Sequence, residues 1–298
     1  MVARAVCSAY LSVTCAGPVD VRDLGVLSFA QNLEDVVLSR LLTLVPVGTY
    51  VDVGAGHPVL DNVTYALYCA GWRGINVEPM NREVQLLRSE RPADTTLEVA
   101  CGAVPGMVTL YEAPDENRGA TTANTDLVAG YATSGQAFRA FEAEVVTLAS
   151  LLDTYEPGAV QLVKVDVEGM EAEVIEGAEL TRTRPWVLVI EATRPNTTDD
   201  SSAGWEPAVL AAGYAMTLFD GLNRFYVRAD LPQVQRLLSV PANVFDRWQR
   251  ASEARAAEAV DTQQRELARQ DAELRRVHDA FERQHAEIER QHAEIERQ

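Results

Sequence analysis

The sequence GTYVDVGAGH, residues 48 to 57, constrains the fold more than any other stretch of the chain. A short apolar run carries one carboxylate, Asp52, and then breaks into Gly54, Ala55 and Gly56. This pattern is typical of a buried parallel strand that runs into a tight turn. Glycines in such a turn let the backbone approach a ligand closely, and the helix that follows points free N–H groups at it. The turn is therefore predicted to bind a cofactor.

Two ligands fit this turn, a dinucleotide and S-adenosylmethionine. The dinucleotide fingerprint requires a third glycine, and Val59 occupies that position. S-adenosylmethionine has an ammonium group and no phosphate, and Asp52 could hold that cation directly or through water. A second apolar run ends at Glu78, where a carboxylate could accept both ribose hydroxyls. The motif favours S-adenosylmethionine, while a dinucleotide enzyme and a structural coincidence stay open.

Composition limits the class of protein. The chain of 298 residues is long enough for one core of about 200 to 250 residues and an appendage. Its net charge of −18 disfavours a nucleic-acid or anionic-membrane partner. The four cysteines lack metal-site spacing, and no apolar run reaches the roughly 18 residues of a membrane span. We expect a cytoplasmic protein in which residues 1–25 are a poorly ordered extension, although they weakly resemble a secretion signal.

The segments on either side of the glycine turn supply further candidates. Ser28 could cap a first helix, whose early polar residues, including Gln31, either complement the helix dipole or form a lid over the cofactor. The pattern of residues 97 to 102 predicts a third strand. The small residues at its end, including Cys101, would leave room for adenine. Two edge strands are expected near residues 108–111 and 144–148. The Gly-, Ala- and Thr-rich residues 112–143 between them predict a mobile substrate loop.

Acidic residues follow two further buried runs. The run LVKV is followed by Asp166 and Glu168, and the run WVLVI is followed by Glu191. Ligands of open α/β sheets bind outside the carboxyl ends of the strands, so these acids should share one edge with Asp52 and Glu78. One of the acids could serve only as a helix cap.

A hairpin with an Asp-Gly turn, beginning at Asp220, would bring Asn223 and Arg224 near the substrate. Turn chemistry alone also explains Asp220 and Asn223. His57 follows the glycine turn and is a secondary candidate base, although a histidine there could instead close over the cofactor or satisfy a backbone group.

Residues 26 to 246 contain six blocks in a fixed order: SFAQNLEDVV, VDVGAGHP, GWRGINVEP, LVKVDVEGMEAEVIEGA, RPWVLVIEAT and DGLNRFYV. With these blocks, the segment resembles the FkbM family of S-adenosylmethionine-dependent methyltransferases. The resemblance implies a class I methyltransferase fold, which is Rossmann-like α/β with a seven-stranded sheet between helices. It implies methylation of oxygen, often on sugars or natural products. It also implies Asp52, Gly54, Gly56 and Glu78 at the cofactor, and Asp166 and Glu168 on the active face.

Methyl transfer to a hydroxyl requires removal of its proton. One expectation is a carboxylate base, with Asp166, Glu168, Glu191 and Asp220 raising one another's pKa values. The competing expectation is Mg²⁺, which prefers oxygen ligands and would lower the hydroxyl pKa, at Asp166, Glu191 and Asp220.

Residues 248–298 differ in composition from the expected catalytic domain at 26–247. Apolar residues recur every seven positions, at Val260, Leu267, Leu274, Phe281, Ile288 and Ile295. This heptad pattern predicts a helical tail that could join copies of the chain or bind a protein partner, although a lone helix is also open because each heptad has only one apolar seam residue. A catalytically inactive scaffold acting through this tail is the alternative function, and a nicotinamide oxidoreductase is a more distant one.

Overall fold

A computed structural model describes residues 25–113, 121–132, 137–194 and 197–295. Residues 1–24 of the expected extension lie outside the described residues. The chain divides into two compact units, Met1–Trp248 and Gln249–Gln298.

Twelve strands are seen in the described residues. They are β1 (Val26–Ser28), β2 (Thr49–Val53), β3 (Arg73–Val77), β4 (Thr95–Leu97), β5 (Ala100–Cys101), β6 (Gly106–Glu112), β7 (Arg139–Val146), β8 (Leu162–Val165), β9 (Val187–Glu191), β10 (Tyr214–Phe219), β11 (Asn223–Arg228) and β12 (Trp248–Arg250). The α-helices are α1 (Glu34–Ser39), α2 (Tyr65–Cys69), α3 (Asn81–Glu90), α4 (Thr125–Ala132), α5 (Leu148–Tyr155), α6 (Glu171–Glu176), α7 (Leu180–Thr183), α8 (Glu206–Ala211), α9 (Pro232–Leu237) and α10 (Ala251–Ile295).

The first unit is built on a seven-stranded sheet with the order β4-β3-β2-β8-β9-β11-β10. Strands β4, β3, β2, β8 and β9 are parallel to one another, while β11 runs antiparallel between β9 and β10. The central strands β8 and β9 are buried along their whole length, as expected for parallel strands with both faces covered.

Each face of this sheet has its own hydrophobic core, and adjacent strand residues alternate between the two cores. In β9, Leu188 packs into one core and Val189 into the other. One core is closed by residues of α5, α6 and α8, and the other by residues of α1, α2 and α9. The expected sheet between two layers of helices is confirmed.

The register of the parallel strands places their carboxyl ends side by side. Val53 pairs with Val77 on one side and with Val165 on the other, and Val165 pairs with Ile190. The residues that follow these positions therefore emerge at one edge of the sheet, as the sequence predicted for Glu78, Asp166 and Glu191.

The start of the first unit differs from the prediction. Ser28 is not a helix cap; it ends β1, and its hydroxyl donates a 2.8 Å hydrogen bond to the Asp35 carboxylate. The same carboxylate accepts the backbone N–H groups of Phe29 and Ala30. The first helix begins at Glu34 because Leu33 has a left-handed backbone conformation, with φ of 67°.

The expected strand at residues 97–102 is also wrong, because it is split between two sheets. β4 belongs to the main sheet, whereas β5 joins β7 and β6 in a separate sheet of three strands. The stretch at 112–143, predicted as a loop, contains helix α4 and the first residues of β7 in its described part. Residues 114–120 and 133–136 of that stretch lie outside the described residues. We call the β5-β7-β6 sheet the cap sheet.

The described part of the second unit consists of the last residues of β12 and the helix α10, of 45 residues. Its heptad residues are exposed, from 46% for Ile288 to 71% for Ile295. Pairs of opposite charge one turn apart, including Asp271 with Arg275, lie along the helix. In the described part of the chain, every helix is too short or too polar to cross a membrane.

Candidate active site

A cavity of about 1140 Å³ opens at the carboxyl edge of the parallel strands. The ends of β2, β3, β8 and β9 line it on one side, and the cap sheet lines it on another. This is the edge at which open α/β sheets bind ligands.

The glycine turn forms part of the cavity wall. Gly54 and Gly56 have positive φ values of 71° and 56°. A side chain at Gly54 would collide with the carbonyl oxygen of Asp166, whereas no atom lies within 4 Å of the position of a Cβ at Gly56. Gly54 is therefore required by close packing, and Gly56 leaves open space where a ligand could approach the backbone.

Three side chains hold the carbonyl groups of the turn. Lys164 donates a 2.6 Å hydrogen bond to the carbonyl oxygen of Gly54. The Asn62 amide donates to the carbonyls of Ala55 and His57, at 3.0 and 3.1 Å. The buried Arg91 guanidinium donates through Nε to the Pro58 carbonyl at 3.0 Å. These hydrogen bonds fix the shape of the turn.

Glu78 stands beside the turn. One carboxylate oxygen accepts the Gly56 N–H and the other accepts the Met80 N–H, both at 2.8 Å. Burial raises the pKa of Glu78 to about 7, against the lowering effect of the two N–H groups. Each oxygen keeps a free lone pair, so the carboxylate could still accept hydroxyl groups of a ligand.

Asp52 occupies a different position from the one expected. It is fully buried and is not among the residues that line the cavity. One of its oxygens accepts the Thr64 hydroxyl at 2.6 Å, and the other lies 3.4 Å from the Lys164 ammonium. Lys164 lies between Asp52 and the cavity. Contact of Asp52 with a ligand ammonium, directly or through water, stays a prediction.

Three acids meet at the end of the cavity beside β8 and β9. Asp166, Glu168 and Glu191 each offer a carboxylate oxygen, and these oxygens lie within 4.8 Å of one another. We call this group the acid trio. Among the described residues, no hydrogen-bond donor reaches Oε2 of Glu168 or Oε2 of Glu191. The unsatisfied oxygens suit a bound proton, a substrate hydroxyl or a cation.

The acids of the trio differ in their tendency to ionise. Burial, followed by the nearby charge of Asp166, raises the pKa of Glu168 to about 9 and that of Glu191 to about 10. Asp166 lies 3.3 Å from the Lys164 ammonium, and 36% of its side chain is exposed. Burial therefore favours the protonated forms of Glu168 and Glu191 at neutral pH, and Asp166 is the member of the trio nearest to the Lys164 ammonium.

Glu171, the first residue of α6, lies outside the trio and binds the loop that precedes the helix. Its carboxylate accepts the N–H groups of Val167 and Gly169, at 3.2 and 3.1 Å, and so closes the loop before α6. The loop is also joined to the cap sheet, because the buried Thr122 hydroxyl donates to the Glu168 carbonyl at 2.6 Å.

His57 lines the cavity, but its ring is turned toward the backbone. Nδ1 accepts the N–H groups of Val59 and Leu60, at 3.1 and 2.9 Å. A proton taken up at this nitrogen would break both bonds, so the arrangement fits the alternative in which the histidine satisfies backbone groups.

The candidate hairpin residues lie outside the cavity lining, although Asn223 pairs with Glu191 of the acid trio across β11 and β9. Asp220 accepts the backbone N–H groups of Leu222 and Asn223, at 2.9 and 2.7 Å, which is turn chemistry. Asp220 is absent from the expected acid cluster, and in the expected metal set Glu168 stands in its place beside Asp166 and Glu191. Arg224 forms 2.7 Å ion pairs with Asp200 and Glu206. Asp220, Asn223 and Arg224 are not among the lining residues, although Leu222 is.

Two remaining candidates do line the cavity. Gln31 reaches it from the segment before α1, and Cys101 reaches it from the cap sheet. Burial raises the pKa of Cys101 to about 12, so this residue stays a neutral thiol. Other small or apolar residues in and beside the cap sheet also line the cavity, among them Val99, Ala100, Gly102 and Val108.

Lys164 and Arg91 are the residues that the sequence analysis missed. The sequence does contain a signal for Lys164, because a charged residue in the middle of the apolar run LVKV requires a buried partner. Arg91 had none, since its partners Pro58 and Thr64 are far from it in the sequence.

The main sheet has five parallel strands followed by the antiparallel β11 and then β10 at its edge. This strand order and the cavity at the carboxyl edge define a protein of the class I methyltransferase type. A family model described as the methyltransferase FkbM domain matches residues 52–223. The match covers more than half of the chain, and the chain belongs to this family.

Two solved structures show limited similarity. One is a TehB-like SAM-dependent methyltransferase from Corynebacterium glutamicum, with 11% identity, a TM-score of 0.36, and coverage of 76% of this chain and 97% of that one. The other is precorrin-6y C5,15-methyltransferase from Geobacter metallireducens, with 14% identity, a TM-score of 0.35, and coverage of 68% and 90%. A comparison with curated proteins finds no match.

Proposed function

We propose that the protein is an S-adenosylmethionine-dependent O-methyltransferase whose acceptor is a hydroxyl group of a sugar, glycan or natural product. The observation that carries this proposal is the continuity of one cavity, which joins the glycine turn and Glu78 to the acid trio. A cofactor site and a proton acceptor are the two parts that such a reaction needs.

The residues at the glycine turn fit the cofactor. Open space above Gly56 admits a ligand close to the backbone, and Glu78 can accept two ribose hydroxyls once it is ionised. Cys101 and its small neighbours could accommodate a flat adenine. Asp52 would act on the ligand indirectly, by fixing Lys164. When bound, S-adenosylmethionine supplies a methyl group activated by its attachment to a sulfonium.

The acid trio then receives the acceptor hydroxyl. We assign the role of base to Asp166, because its carboxylate is accessible and lies beside Lys164. Glu168 and Glu191, protonated at neutral pH, could donate hydrogen bonds that orient the acceptor oxygen. The alternative is that Mg²⁺ binds at Asp166, Glu168 and Glu191, since three carboxylate oxygens of this spacing suit its preference for oxygen ligands.

The charge of the cavity narrows the acceptor class. Its described lining contains eight acids, Asp61, Glu78, Glu83, Glu112, Asp166, Glu168, Glu173 and Glu191, against the two cations Arg82 and Lys164. Even with Glu168 and Glu191 protonated, the acids outnumber the cations. Phosphorylated or carboxylated acceptors would be repelled, so we propose a neutral or cationic one. We further propose a cytoplasmic protein whose tail joins copies or binds a partner.

The test measures methyl transfer from labelled S-adenosylmethionine to neutral glycosides and to their phosphorylated counterparts, with and without a chelator. We expect transfer to neutral acceptors alone, and its loss in Asp166→Asn with cofactor affinity retained. Glu173→Gln is the matched control, because Glu173 lines the cavity outside the acid trio. A chelator that stops the wild type would favour Mg²⁺ over the carboxylate base. Normal cofactor affinity, with no transfer to any acceptor, would favour the inactive scaffold.

A further inference from the structure

The chain contains a single lysine. Of its 26 lysine and arginine residues, 25 are arginines, and the one lysine is Lys164. Lys164 is also buried, in the middle of β8, with 6% of its surface exposed. Arginine and lysine are not interchangeable at sites with defined geometry, because a guanidinium is a planar fork and an ammonium is a compact group with three donors.

The ammonium of Lys164 is hydrogen-bonded to one oxygen and ion-paired with two others, and the three oxygens come from different parts of the site. It lies 2.6 Å from the Gly54 carbonyl oxygen, 3.3 Å from Oδ2 of Asp166 and 3.4 Å from Oδ1 of Asp52. One oxygen belongs to the cofactor turn, one to the acid trio and one to the buried interior of β2. One hydrogen bond and two ion pairs thus converge on a single compact ammonium.

We propose that Lys164 is a positioning residue that links the cofactor turn to Asp166. By holding the Gly54 carbonyl and the Asp166 carboxylate on one nitrogen, it fixes the separation between the bound cofactor and the acceptor oxygen. Methyl transfer depends strongly on that separation, because the reacting atoms must be aligned at about 3 Å. This inference rests on the proposed function and adds a residue to it.

A simpler role would be neutralisation of the buried Asp52. The two roles are separated by the double substitution Asp52→Asn with Lys164→Met, which removes both charges together. If Lys164 only neutralises Asp52, the double variant should fold and bind S-adenosylhomocysteine normally. If Lys164 positions the turn, the double variant should recover stability lost in Lys164→Met, yet bind S-adenosylhomocysteine at least about tenfold more weakly than the wild type.

Lys164→Arg provides a second variant that keeps the charge. The larger planar group cannot reproduce the contacts of the compact ammonium with the three oxygens. We therefore expect its affinity for S-adenosylhomocysteine to fall by about tenfold as well. Arg88→Met is the control, since Arg88 is an exposed cation on α3 away from the cavity lining.

The wild-type protein offers a direct readout. Because the chain has one lysine, labelling with ¹³C-lysine gives a single side-chain signal by NMR. We expect this signal to shift when S-adenosylhomocysteine is added, and to shift in the ligand-free Asp166→Asn protein.

The inference is overturned if a stably folded double variant has an affinity for S-adenosylhomocysteine within about twofold of that of the wild type. It is also overturned if the lysine NMR signal shifts neither when the ligand is added nor in the Asp166→Asn protein. Failure of the double variant to fold leaves Lys164→Arg and the lysine signal as the deciding results. A wild-type protein that binds no S-adenosylhomocysteine contradicts the proposed function, whereas the response of the lysine signal to Asp166→Asn still tests the link itself.

Discussion

The side-chain amide of Asn223 donates a 2.7 Å hydrogen bond to the carboxylate of Glu34, although the two residues are 189 positions apart. Glu34 begins α1, and Asn223 pairs with Glu191 of the acid trio across β11 and β9. A second bond, from the Asn32 amide to the Asp220 carbonyl, joins the same segments at 2.9 Å. The segment before α1, which brings Gln31 to the cavity, is thereby tied to the strand beside the acid trio.

Glu34 should make stability depend on pH. Burial raises its pKa from 4.5 to about 7, with the nearby charges of Asp220 and Asp35 acting in the same direction. The folded state therefore binds this proton more tightly than the unfolded state, and the free energy of unfolding falls as pH rises through that window. Glu34→Gln should abolish the loss, which amounts to at most about 3 kcal/mol.

Denaturant unfolding between about pH 5 and pH 8 measures this effect. The advantage of Glu34→Gln over the wild type should grow with pH and level off above about 7. The exposed Glu98→Gln is the control and should show no such trend. A constant difference across the range would mean that Glu34 does not titrate as its burial requires.

Glu78 should make cofactor affinity depend on pH. Its pKa of about 7 in the ligand-free protein means that the carboxylate must lose a proton before it accepts hydroxyl groups. Affinity for S-adenosylhomocysteine should therefore rise as pH increases through 7. Glu78→Gln should bind about tenfold to a hundredfold more weakly and lose this dependence, as calorimetry at several pH values would report. Unchanged affinity in the variant would exclude contact of Glu78 with the ribose.

Gly54 and Gly158 form a matched pair for backbone substitution. Both have positive φ, of 71° and 75°, but only Gly54 packs against another backbone group, the Asp166 carbonyl. Gly158→Ala should cost about 1 kcal/mol of stability through strain alone. Gly54→Ala should cost clearly more and should also abolish binding of S-adenosylhomocysteine. Equal effects in thermal unfolding would contradict the packing at the glycine turn.

The tail should respond to pH if it joins copies of the chain. With the apolar heptad residues at one seam position, His278, His285 and His292 fall at the other. Histidines ordinarily gain charge as pH falls from about 8 to about 5, which would place like charges along the seam. Sedimentation of the full chain should therefore show a larger species at the higher pH. Identical masses at both pH values would contradict self-association through this seam.

Much of the main sheet could be predicted from the sequence, because its strands are buried on both faces and appear as apolar runs. The shared edge of Glu78, Asp166 and Glu191 followed from the parallel arrangement alone. The edge strands expected at 108–111 and 144–148 correspond to β6 and the end of β7. Their assembly with β5 into a separate cap sheet, and the start of β7 at Arg139, could not be predicted, because the Gly-, Ala- and Thr-rich stretch at 112–143 gives no clear apolar period in the sequence.

The positions of Asp52 and Asp220 differ from the prediction for a common physical reason. Asp52 and Asp220 are acids in the expected segments, but their roles depend on partners that the sequence does not bring together. Lys164 covers Asp52, and backbone N–H groups of the turn occupy Asp220. Local patterns identify where polar groups lie along the chain, whereas long-range contacts decide which of them face the cavity.

The central claim is that the cavity binds S-adenosylmethionine, and calorimetric titration with S-adenosylhomocysteine and, separately, with NAD tests it most directly. Each titration is done with and without Mg²⁺. We predict binding of S-adenosylhomocysteine alone, with one site per chain. Binding of NAD, or of neither ligand, would contradict the proposed function and would favour an oxidoreductase or a scaffold, respectively.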